Sequence, residues 1–146
     1  MKRHLFTTMA IAMFVATIAV TSARAQNAPL VSVSIPFDFE VAGRTMKAGD
    51  YQVRMEGSRS TLKIENRDSL HTTFVTISPL QRADIQNESK LVFNRYGNQY
   101  FLAQVWIAGR TSGEEVRQST TERGIRRELA ALRQKPERIE IAVRTN

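Results

Sequence analysis

The segment "VSVSIPFDFEV", residues 31–41, decides the fold. Its odd positions are Val31, Val33, Ile35, Phe37, Phe39 and Val41, and its even positions are Ser32, Ser34, Pro36, Asp38 and Glu40. Side chains alternate across a strand, so this spacing gives one dry face and one wet face. A helix would spread the six apolar residues around its circumference. Pro36 has no N–H to give a ladder and predicts an edge strand or a bulge midway.

The same alternation recurs downstream. Tyr51, Val53 and Met55 are separated by Gln52 and Arg54, and Leu62 and Ile64 mark another short strand. Leu70–Ile77 is rich in Thr, Phe, Val and Ile, the composition of strands. Ser78–Ser89 reads as a polar connection. In "KLVFNRYGNQYFLAQVWIAG", residues 90–109, two β-rich runs flank Gly97-Asn98, a type II′ hairpin pair. That turn pairs Tyr96 with Gln99, Arg95 with Tyr100 and Phe93 with Leu102. An unbroken alternation then places Leu91, Phe93, Tyr100, Leu102 and Trp106 on one face. Val92, Phe101, Ala103, Val105 and Ile107 fall on the other. Both faces are apolar, so the hairpin is central and one face needs a cover.

Gly109–Glu115 reads as a loop. Ser119-Thr120-Thr121-Glu122 fits a capping box, in which the Ser119 hydroxyl and the Glu122 carboxylate each take an orphan N–H. Ile125, Leu129 and Leu132 form a stripe at helical spacing, and Pro136 ends the segment, which predicts one helix near 119–134. The stripe is expected to cover the hairpin face of Tyr100, Leu102 and Trp106. Ile139, Ile141 and Val143 give a last strand. The expectation is a mainly β chain: an antiparallel sandwich or small barrel of about seven strands with one C-terminal helix.

Residues 1–25 have the layout of a secretory signal peptide: basic Met1–His4, the uncharged run Leu5–Val20, and Ala23-Arg24-Ala25 as an A-x-A cleavage site. The apolar run is shorter than the roughly 20 residues of a spanning helix. The expectation is a single β-rich domain, residues 26–146, in the periplasm or outside the cell, with no transmembrane segment after cleavage. Loss of Lys2, Arg3 and Arg24 lowers the formal net charge from +7 to +4. This excess is too modest for a nucleic-acid partner and suits an anionic polymer, an envelope component or another protein. The chain has no cysteine, which excludes disulfides, thiol catalysis and Cys-ligated zinc.

The leader, "IPFDFEVAGRTMKAGDYQV", "KLVFNRYGNQYFLAQVW" and "STTERGIRREL" together resemble a group of uncharacterised small exported β-rich proteins of acidobacteria. The resemblance spans most of the chain beyond the leader. It implies export and a β-rich fold, and it carries no site residues.

No catalytic constellation stands out. His71 is the only histidine beyond the leader, and no nucleophile-elbow motif accompanies it. One histidine without cysteine makes a metal site unexpected, and no cofactor motif is present. Asp38 and Glu40, two apart on one strand, could act as a hydrolase pair, with His71 as an alternative. A barrel interior could instead carry a small apolar ligand. The leading expectation is a non-catalytic binding or envelope-associated module. Tyr96, Tyr100 and Trp106 are candidate stacking residues, and Arg123, Arg126 and Arg127 are a candidate anionic-surface reader.

Overall fold

The computed structural model describes residues 30–57, 60–82 and 85–145. The leader assigned to residues 1–25 lies outside the described residues. Eleven strands and one helix make up the described chain. In chain order they are β1 (Leu30–Ile35), β2 (Phe39–Val41), β3 (Arg44–Met46), β4 (Gly49–Glu56), β5 (Thr61–Asn66), β6 (Thr72–Gln81), β7 (Lys90–Tyr96), β8 (Gln99–Trp106) and β9 (Ser112–Val116). Helix α1 (Thr120–Ala131), β10 (Glu137–Ala142) and β11 (Arg144–Thr145) follow.

The strands form a β-sandwich whose corners are turned by strands that change layer. One layer holds β11, β1, β4, β5 and the first half of β6. The other holds β10, β7, β8, β9 and the second half of β6, with β2 and β3 beside β8. β6 pairs with β5 over Thr72–Thr76 and with β9 over Ile77–Gln81. The sheet does not close into a barrel. The two ends of its path, β10 and β11, succeed one another in sequence and are not laterally paired.

The expected single strand at residues 31–41 is two strands, one in each layer. Pro36-Phe37-Asp38 is where the chain crosses from β1 to β2. The alternation survives the break because the core lies between the layers. Val31, Val33, Ile35, Phe39 and Val41 are all buried in it. Phe37 is half-buried, stacked on Tyr100 at 3.9 Å between ring centroids and edge-on to Phe93 at 5.2 Å. Phe39 meets Phe93 and Tyr51 edge-on, so the rings run as a chain across the sandwich.

The β7–β8 hairpin has the expected register: Tyr96 opposite Gln99, Arg95 opposite Tyr100 and Phe93 opposite Leu102. Gly97 has φ of +61°, and Asn98 is not among the residues with positive φ, which is the type II′ combination. The predicted faces fail further along. Phe93 pairs with Leu102 while Val92 pairs with Gln104, so Ala103 is an extra residue, a β-bulge. Beyond it the alternation inverts. Val105 and Ile107 join Leu91, Phe93 and Leu102 in the core, and Trp106 turns to the opposite face.

Two connections read from sequence are strands. β9, Ser112–Val116, takes up most of the loop expected at Gly109–Glu115, and β6 continues through Pro79 to Gln81. Pro79 is tolerated because β6 has already left β5 and has a ladder neighbour on one side only. The β2–β3 turn is a two-residue hairpin with φ of +49° at Ala42 and +82° at Gly43. Alanine is strained in the left-handed region, and asparagine is favoured there. Ala42→Asn is therefore expected to raise unfolding free energy by up to about 1 kcal/mol in urea titration.

Candidate functional site

β2 and β9 share one edge of β8. β2 touches it at Phe101, and β9 runs along Gln104–Trp106. β9 must leave that edge where β2 begins, and the chain departs at Val116-Arg117 to enter α1. Two adjoining clefts open at this junction, of about 370 Å³ and 510 Å³. They share Thr76, Arg117, Gln118 and Arg123 and so form one groove. The β2–β3 turn and Ser119–Thr121 close one end, and Ser78, Glu115 and Arg126 line the other.

The helix start is capped as expected on one side: Ser119 Oγ accepts from the Glu122 N–H at 3.1 Å. The carboxylate of Glu122 does not return to the cap. It turns inward, 2 % exposed, and accepts from Asn94 Nδ2 at 2.9 Å. The Tyr96 hydroxyl and Gln118 Nε2 also donate to it, at 3.5 and 3.4 Å. Asn94 and Tyr96 share the β7 face away from the core with Val92, so α1 lies over that face. Burial pushes the Glu122 carboxyl above the ordinary glutamate range, the Asn94 and Tyr96 bonds oppose it, and nearby Glu40 adds to the rise.

Three arginines line the groove. Arg123 donates to the Gln118 carbonyl at 3.5 Å and to Thr120 Oγ1 at 3.2 Å. Arg126 donates to Gln118 Oε1 at 3.3 Å. These acceptors are neutral. The ion pairs among the described residues join Lys47–Asp38, Arg54–Glu56, Lys63–Glu65, Lys90–Glu140 and Arg95–Glu137, all elsewhere. Among the described residues Glu115 is the one carboxylate lining either cleft, so the walls carry excess positive charge. Arg126 also lies close enough to Glu122 to hold its carboxyl down slightly against the effect of burial. Gln118 bridges two residues of α1: its Nε2 faces the buried Glu122 and its Oε1 faces the exposed Arg126.

The candidates from sequence are scattered differently. Arg123 and Arg126 line the groove. Arg127 is exposed on α1 but lines neither cleft. Tyr96 and Trp106 are buried, and Tyr100 is half-buried against Phe37, so no open aromatic platform exists at these positions. Tyr100 and Leu102 face the core, so α1 does not cover them. Trp106 is covered by Arg82, whose guanidinium lies 5.2 Å from the ring centroid, and lies against Gly113. Of the helical stripe, Ile125 and Leu129 are half-buried and Leu132 is exposed.

Asp38 and Glu40 are not one pair on one strand. Asp38 sits on the crossover before β2, ion-paired to Lys47 at 2.8 Å and accepting the Ala48 N–H at 2.9 Å. The Lys47 hydrogen bond, then that of Ala48, holds its carboxyl below the usual range, the wrong direction for a general acid. Glu40 lies on β2 with its Oε1 buried and without a hydrogen-bond partner among the described residues. His71 is exposed in the turn before β6, and none of the three lines the groove. No group of side chains suited to a metal ion occurs among the described residues. No helix among them is long and apolar enough to cross a membrane.

Sequence reading passed over Arg117, the groove residue at the end of β9. Its signal was position: a basic residue two before a capping serine. No protein-family model matches the chain, and no curated protein or solved structure matches it either.

Proposed function

We propose that the chain is a non-catalytic exported binding module that takes an anionic group of the cell envelope in the arginine groove. The observation that carries this reading is the groove itself, lined by Arg117, Arg123 and Arg126, where the side-chain hydrogen bonds of Arg123 and Arg126 go to neutral acceptors. Guanidinium groups match oxyanions through paired N–H donors, and such bonds are stronger than those between neutral groups. Export rests on the leader at residues 1–25 and on the resemblance of the motifs. The interlocked rings of Tyr100, Phe37, Phe93, Phe39 and Tyr51 favour a filled interior over a carrier's cavity.

Retention on immobilised dextran sulfate tests the groove. The triple variant Arg117→Gln, Arg123→Gln, Arg126→Gln is expected to elute at clearly lower salt than the wild type. A control of equal net charge, Arg67→Gln, Arg127→Gln, Lys135→Gln, removes exposed cations outside the groove. Equal elution of the two triple variants would reduce the binding to bulk charge and refute the groove. N-terminal sequencing of the exported protein should begin at Gln26.

A further inference from the structure

Phe74 carries the groove beyond charge. It is 61 % exposed on β6, a large ring left in water on a strand whose inward residues are buried. Its side chain shares the outward face with Thr76 and Ser78, which line the clefts. Two residues along a strand span about 7 Å, so Phe74, which lines neither cleft itself, is one outward position from the groove residue Thr76. Its cross-strand neighbour is Lys63, which is engaged with Glu65 at 2.5 Å.

We infer that the ligand of the groove is a linear acidic polysaccharide. This rests on the anion-binding reading above. Three features converge on it. The guanidinium groups of Arg117, Arg123 and Arg126 are spread over two adjoining clefts, which suits anionic groups repeated along a chain better than one small ion. The hydroxyls of Thr76, Ser78, Thr120 and Thr121 line the same walls and can exchange hydrogen bonds with sugar hydroxyls. The exposed Phe74 ring offers a flat apolar face to the C–H face of a pyranose, which water solvates poorly. A membrane surface would call for apolar side chains gathered at the basic groove. Among the described residues the other exposed large ones, Leu70, Ile85 and Leu132, are instead spread over the β5–β6 turn, the β6–β7 connection and the end of α1.

Calorimetry with two carboxylate polymers tests this. Polygalacturonate offers carboxylates and sugar faces; poly-glutamate offers carboxylates alone. The full chain should bind both, and Phe74→Ser should weaken polygalacturonate about tenfold while leaving poly-glutamate unchanged. Phe74 is exposed, so the variant should keep its melting temperature. If Phe74→Ser binds polygalacturonate like the wild type while the Arg117, Arg123, Arg126 variant loses both polymers, the glycan inference falls and the anion reading stands. If the arginine variant also binds both polymers unchanged, or the wild type binds neither, the anion reading falls with it.

Discussion

Gly113→Ala is expected to lower stability by about 1–3 kcal/mol and to shift tryptophan emission to the red. Gly113 on β9 lies directly opposite Trp106 on β8. A β-carbon at residue 113 would fall 2.5–2.7 Å from Cε3, Cδ2 and Cζ3 of the indole, well inside contact distance. The ring has little freedom to retreat. Trp106 is 2 % exposed, its Nε1–H donates to Gln104 Oε1 at 3.0 Å, and Arg82 lies over its face. In an open strand, alanine would be favoured over glycine by backbone entropy, by about 0.5–1 kcal/mol. Overpacking a rigid indole outweighs that gain. The chain has one tryptophan, so its emission reports the surroundings of this indole. Urea titration with the same fluorescence readout gives both quantities. Unchanged stability and emission would mean that β9 does not lie against Trp106.

This contact also shows why part of the fold was illegible. β9 reads "SGEEV", with a glycine and two acids where strands favour branched and aromatic residues, so its sequence reads as loop. It is a strand because it pairs with β6 on one side and β8 on the other, and its glycine leaves room for the indole opposite, a tertiary fit without local trace. The Ala103 bulge is similar. A single inserted residue inverts every later side chain, and nothing in "FLAQVW" announces it. What alternation and turn chemistry could supply, they did: the buried faces of β1, β2, β4 and β5, the hairpin register about Gly97-Asn98, and the Ser119 cap. Within the site, Arg123 and Arg126 were visible as a basic run. Arg117 stands outside that run and was passed over, and Phe74 was illegible because β6 is far from β9 and α1 in sequence and meets them only in the fold.

Glu122→Ala is expected to cost about 1–3 kcal/mol, and Glu122→Gln is expected to flatten the dependence of stability on pH. Glu122 is the one buried residue of α1, so a carboxyl, more than the apolar stripe, pins the helix. Alanine would leave Asn94 Nδ2 and the Tyr96 hydroxyl without their acceptor beneath the helix. Glutamine keeps an acceptor oxygen there and removes the charge. The groups facing Glu122 are Asn94 and Tyr96 from β7, Glu40 from β2, Gln118 before the helix and Arg126 on it. Burial raises its folded-state value above that of the unfolded chain, so the folded protein holds this proton more tightly. Its contribution is therefore full below the ordinary glutamate range and is lost as pH rises through the folded value. Asp38 acts in the opposite sense, losing its contribution as pH falls through its lowered folded value, but it is exposed and its pair with Lys47 is screened. Urea titrations of wild type and Glu122→Gln between about pH 4 and pH 8 isolate Glu122 as the difference. The wild type should lose ground to the glutamine variant as pH rises. A constant difference across that range would show that Glu122 titrates alike in the folded and unfolded chains, and that burial beneath α1 does not govern it.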